Sequence, residues 1–143
     1  MIEDLLRTEY GITGDVERLG GTEETYRVSG PAATCIVKVS DAGPSEAIAA
    51  LERAAIEVLA RAIPDLDLPH LRPTRAGRLE VPSVTSEGRT VRVRVFEFVP
   101  GAPWGESLPA TSDRRCELGS LLGRVASALS GFTHPSAART HEW

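Results

Sequence analysis

Lysine occurs once in this chain: of its sixteen basic side chains all but Lys38 are arginine, and Lys38 ends the apolar run Cys35-Ile36-Val37. A compact ammonium sits against a phosphate or carboxylate as a point charge, a task for which the broad guanidinium fork is poorly shaped. Three carboxylates follow on one helical segment, Glu46, Glu52 and Glu57. At about 100° per residue from Ile48, Glu52 falls between Leu59 and Ile56 on the apolar side, and the other two fall opposite. Glu57 also lies four residues from both Arg53 and Arg61, so exposed ion pairs account for it. A carboxylate on an apolar face is costly unless paired, so Glu52 is the expected partner of Lys38.

Upstream, Gly20-Gly21-Thr22 offers backbone N–H groups and a hydroxyl that can approach an anion closely. Any hairpin turn also uses two glycines, the GxGxxG pattern is lacking, and Glu23 and Glu24 add negative charge. Other chemistries find no constellation. His70, His134 and His141 are followed by Leu71-Arg72, Pro135-Ser136 and Glu142-Trp143, so no His-x-Asp occurs. No Asp follows Asp113, and Asn is absent from the chain. Asp65-Leu66-Asp67 imitates a metal-binding pair but falls between elements, and reads as a solvated turn. Cys35 and Cys116 form no CxxC pair and read as reduced thiols. No catalytic residue and no metal ligand is assigned.

The elements that position these residues are legible from period and punctuation. Ile2, Leu5 and Leu6 suggest a short helix over 2–10. Extended runs at 16–19, 25–28 and 34–39 are separated by Gly20-Gly21 and Gly30-Pro31. A helix over 41–62 carries Ile48, Leu51, Ala55, Leu59 and Ala62, with Pro44 in its first turn. Strands over 78–84 and 90–99 meet at Glu87-Gly88, with Val91, Val93 and Val95 alternating against Arg92 and Arg94. The expected class is α+β, a five-stranded antiparallel sheet with one long covering helix. Pro100-Gly101-Ala102-Pro103 and Pro109 mark a linker, after which a helix over 112–130 bears the stripe Leu118, Leu121, Leu122, Val125 and Leu129.

This order of parts resembles the N-terminal lobe of the aminoglycoside phosphotransferase and choline-kinase-like small-molecule kinases, and most of all their hydroxylysine-kinase-like branch. The matching stretches are Leu19-Gly20-Gly21-Thr22 through Val28, then Ile36-Val37-Lys38-Val39, Asp67-Leu68-Pro69, Phe96-Glu97-Phe98-Val99-Pro100-Gly101, and Gly131-Phe132 with His134-Pro135. The resemblance implies ATP as phosphate donor. Gly20, Gly21 and Thr22 would cradle its phosphates, and Lys38, oriented by Glu52, would hold the α- and β-phosphates. Phe96 would take the gatekeeper place, the Glu97 carbonyl would accept from the adenine amino group, and the Val99 N–H would donate to the ring. Magnesium would come only with the nucleotide and find its ligands in a second lobe. The expected layout is a nucleotide-binding lobe over 1–99, a hinge and linker over 100–110, and the start of a truncated catalytic lobe over 111–143.

The function so implied is the nucleotide-binding half of a phosphotransferase acting on a hydroxyl of an amino acid, amino alcohol or aminoglycoside. The half would be inactive alone, and the acceptor would bind only with the second lobe. The alternative is a non-catalytic nucleotide-binding or protein-interaction module, or one domain of a longer fused enzyme. Composition narrows the rest: 143 residues, 41% hydrophobic and 25% charged, with a net charge of −4. That balance disfavours a nucleic-acid partner. No apolar run is long enough to span a membrane, and acids at Glu3 and Asp4 replace the basic flank of a signal peptide, so a cytoplasmic location is expected. The leucine stripe is expected to mediate self-association or packing.

Overall fold

Alternation of apolar and polar residues sets the sheet, and pairing decides which residues share a face. The computed structural model describes residues 2–20, 24–41, 44–101 and 111–137. In chain order these form α1 (Ile2–Leu5), β1 (Asp15–Leu19), β2 (Glu24–Ser29), β3 (Thr34–Asp41), α2 (Pro44–Ala62), β4 (Val81–Val84), β5 (Thr90–Glu97) and α3 (Ser112–Leu129). The strands make one antiparallel sheet in the order β1-β2-β3-β5-β4, as expected of the α+β class. Residues 1–49 and 69–98 pack as one compact unit, and residues 50–68 and 99–143 as a second.

In the first unit the core lies between one sheet face and the N-terminal segment. Val28, Cys35, Val37, Val93 and Val95 project from that face and meet Leu6, Tyr10 and Ile12. The expected helix over 2–10 is α-helical only to Leu5. It then widens into a π-helical turn over Leu6–Tyr10, closed by Gly11 at φ 67°, whose N–H donates to the Leu6 carbonyl. The Ile12 N–H reaches the same carbonyl at 3.1 Å. The wider turn brings Leu6 and Tyr10 onto the sheet together, and the Tyr10 hydroxyl donates to the Val93 carbonyl at 3.4 Å.

Several boundaries differ from the sequence reading, each through a local hydrogen bond. The strand expected over 78–84 begins only at Val81, because a turn captures Arg78. The Thr74 N–H donates to the Arg78 carbonyl at 2.7 Å, and Thr74 Oγ1 accepts from the Arg78 N–H at 3.0 Å. Gly77, at φ 79°, takes the left-handed position in that turn. The last strand stops at Glu97 rather than 99, where its N–H donates to the His70 carbonyl at 2.8 Å. The long helix starts at Pro44, since Asp41 remains in the ladder opposite Val91.

In the second unit, Arg53, Glu57 and Arg61 of α2 are exposed and Glu52 is half-buried. Thr111 caps α3, its hydroxyl accepting from the Arg114 N–H. The turn at Asp65 is more than a solvated corner. Its carboxylate accepts from Arg124 of α3, which holds the carboxyl below the usual range. No residue of α3 is buried, and Leu118 and Leu122 of its stripe are exposed.

Burial, with Glu9 nearby, raises the Tyr10 phenol from 10.0 to about 12. The phenol is neutral in both states below pH 10, so its contribution is intact there. Between pH 10 and about 12 the unfolded chain ionises first and stability falls. Urea unfolding across that range should show a loss of roughly 2–3 kcal/mol from this residue. Tyr10→Phe should remove that part of the alkaline loss.

Candidate functional site

The sheet face opposite the core carries the chain's lysine. Register puts Leu19, Thr25, Lys38 and Arg94 in one row across β1, β2, β3 and β5, and Glu17, Arg27, Ile36 and Phe96 in the next. Because side chains alternate along a strand, all eight share a face. Phe96 is buried and forms the floor for two cations. Its ring centre lies 5.7 Å from the Lys38 ammonium and 5.8 Å from the Arg94 guanidinium. Such contacts are each worth about 0.5–1 kcal/mol when exposed, and more when desolvated. Lys38 is half-buried and Arg94 is 4% exposed.

Charge on this face is uneven. The inner strands β3 and β5 place Lys38, Arg92 and Arg94 on it and no carboxylate. The flanking arginines meet acids within the same unit: Arg27 donates to Glu17 at 2.5 Å, and Arg92 donates to Glu80.

Glu24, one of the two acids beside the glycine turn, faces the other way. It is paired with Val39 in the ladder and shares the core-side face. There its carboxylate accepts from the Tyr26 hydroxyl at 2.5 Å and from Arg89 at 3.2 Å, while Arg89 also donates to Asp41 at 2.6 Å. The hydrogen bond to Glu24 raises the Tyr26 phenol and, with burial, keeps it neutral further into alkali. Gly21, Thr22 and Glu23 lie outside the described residues. Gly20 ends the first strand's approach to that turn, with open space where a Cβ would stand.

The structure thus brings Lys38 and Phe96 together. Glu97, adjoining Phe96, is exposed, with its N–H taken by His70. Glu52 and Val99 belong to the second unit. Cys35 is a core residue whose thiol is pushed up by burial, which suits packing and not nucleophilic work. Among the described residues no three His, Cys, Asp or Glu side chains converge as a metal site. Arg94 was missed by sequence reasoning. Its alternation with Val93 and Val95 marked it as polar, but an arginine on a polar face reads as solvated until burial is known.

No protein-family model and no curated protein matches the sequence. Solved structures match in fold. A spectinomycin phosphotransferase in complex with ADP and spectinomycin aligns at a TM-score of 0.64 and 16% identity, over 89% of this chain and 37% of its own. A microcompartment-associated aminopropanol kinase aligns at 0.67 and 24%, over 99% of this chain and 44% of its own. The fold is that of a kinase N-terminal lobe. An amicoumacin kinase, in complex with AMP-PNP, calcium and its substrate, aligns at 0.72 and 14%, over 94% of this chain and 41% of its own. The chain therefore spans less than half the length of each of these small-molecule kinases.

The chain has two tyrosines, so an alkaline absorbance titration reads Tyr10 and Tyr26 alone. Both should ionise above the ordinary phenol value, and Glu24→Gln should bring only the Tyr26 step down.

Proposed function

We propose that this chain is the nucleotide-binding half of an ATP-dependent phosphotransferase acting on a small hydroxyl-bearing molecule. The observation that carries the reading is Lys38, the only lysine, set beside the Phe96 ring on β3 of a kinase-like lobe. The ADP and AMP-PNP complexes among the similar folds support the same ligand class. Lys38 would hold the α- and β-phosphates as a point charge. Glu52 is the proposed carboxylate that orients its ammonium, and Gly20, Gly21 and Thr22 the proposed cradle beneath the phosphates. Phe96 would bound the adenine site, with the Glu97 carbonyl and Val99 N–H as its backbone partners. Glu24, turned to the opposite face, puts no charge against this use of the lysine face.

Residues 1–99 then form the nucleotide lobe, 100–110 the hinge and linker, and 111–143 the first part of a catalytic lobe. Without a His-x-Asp loop, an Asn or a later Asp, these residues hold the donor but supply neither the base nor the metal carboxylate. Magnesium would enter with the nucleotide. The acceptor class, an amino acid, amino alcohol or aminoglycoside, belongs to residues beyond this half.

Calorimetry should show Mg-ATP and ADP binding with a Kd on the order of 0.1 mM or weaker. Lys38→Met should weaken both by about tenfold or more while sparing adenosine. No phosphoryl transfer to added alcohols is expected. Absence of adenine-nucleotide binding at millimolar concentration, or measurable turnover, would overturn the reading. The α3 stripe is the surface proposed for self-association, since Leu118 and Leu122 are exposed. Light scattering at micromolar concentration should report species above the monomer, and Leu122→Glu should return them to it.

A further inference from the structure

We propose that the cleft between the N-terminal segment and the β1 edge of the sheet is a binding site for a small apolar monocation, an arylalkylammonium being the fitting class. The proposal rests on no part of the nucleotide reading, whose lysine lies on the opposite face of the sheet. The cleft has a volume of about 270 Å³. Leu6, Ile12, Val16 and Val28 line its apolar part, and Glu3, Asp4 and Arg7 its polar part. Leu6, Ile12 and Val28 also belong to the buried core, so the floor of the cleft is continuous with it. Protein interiors are close-packed, and a void of this size leaves such a floor without contacts on one side. A dry cavity of about 150 Å³ with walls of this kind accepts benzene, so the cleft has room for a phenyl ring with a short arm.

Backbone geometry builds both walls. On one side the helix widens into the π-helical turn over Leu6–Tyr10, and single turns of this kind recur at functional sites. On the other, a Cβ on Gly14 would collide with the Ser29 carbonyl oxygen and one on Gly30 with the Thr13 carbonyl oxygen, so the two chain segments touch backbone to backbone. Walls fixed in this way are preformed, which lowers the ordering cost of binding. Charge then selects the head group. The rim holds two carboxylates against one guanidinium. Arg7 donates to Asp4 at 2.6 Å, which spends the base on one acid and leaves the exposed Glu3 carboxylate in excess. An ammonium on an apolar body meets complementary charge there, and a carboxylate on the same body meets repulsion. Ion pairs at an exposed rim are weak, so the apolar floor supplies most of the affinity and Glu3 the preference among head groups.

The test is an NMR titration of the 143-residue chain with 2-phenylethylammonium, alongside 2-phenylethanol and 3-phenylpropanoate as neutral and anionic analogues. The ammonium should saturate with a Kd on the order of 1 mM and shift the amides of Thr13, Gly14, Val16 and Val28. The alcohol should bind about threefold more weakly, and the carboxylate about tenfold or more. Glu3→Gln should bring the ammonium to the level of the alcohol and leave the alcohol within about twofold of its wild-type value. Val16→Phe puts a ring into the cleft from a half-buried position on the edge strand and should abolish binding of both. Thr13→Phe, from an exposed loop position, does the same should Val16→Phe fail to fold. Absence of saturable ammonium shifts at tens of millimolar overturns the proposal, as do shifts confined to residues away from the cleft or undiminished binding in the filled variant. Carboxylate binding equal to or tighter than that of the ammonium overturns the ligand class, and so does an unchanged ammonium affinity in Glu3→Gln.

Discussion

The pairing of β3 with β5 is the constraint on which the rest depends. Val37 faces Val95, both without solvent contact, and the next pair along is Lys38 with Arg94 on the opposite side. A slip of β5 by one residue would turn Arg92 and Arg94 to the core side and Val93 and Val95 away from it. The cost of that exchange, several kilocalories for each charge left unpaired, makes the register strongly specified. The same apolar packing that stabilises the lobe therefore sets the lysine on the face opposite the core.

The core side explains how that face is kept free of one acid. Leu6, Tyr10 and Ile12 descend from the π-helical turn to cover the valine face. At the edge of that covered face, Glu24, Tyr26, Arg89 and Asp41 form a hydrogen-bonded group linking β2, β3 and the start of β5. Charged hydrogen bonds of this kind are stronger than neutral ones, although exposure of Arg89 and Asp41 lowers their net value. Their arrangement matters more than their sum, since it commits the Glu24 carboxylate to the side away from Lys38.

Local pattern made much of this legible. The five strands, the long helix after β3 and the helix from Ser112 follow from alternation, from apolar spacing and from Pro44 in a first helical turn, whereas the Thr111 cap emerged only from the structure. Boundaries were lost where a side chain or a distant carbonyl captured the backbone. Thr74 holds Arg78 out of β4, and His70 ends β5 at Glu97. Asp65, legible as a turn, gained a partner fifty-nine positions away in Arg124, a pairing that no local spacing encodes.

By itself the sequence determined the alternation, the solitary lysine, the candidate carboxylates and the absence of His-x-Asp and Asn, because these are properties of residue type and period. Tertiary structure decided the neighbours. Period-two alternation places Arg92 and Arg94 on one face but carries no information about what lies across the ladder or how much water reaches it. Only pairing with β3 sets Arg94 beside Lys38 over Phe96, and only packing withdraws it from solvent, since burial is a property of long-range contacts and not of the strand that bears the residue.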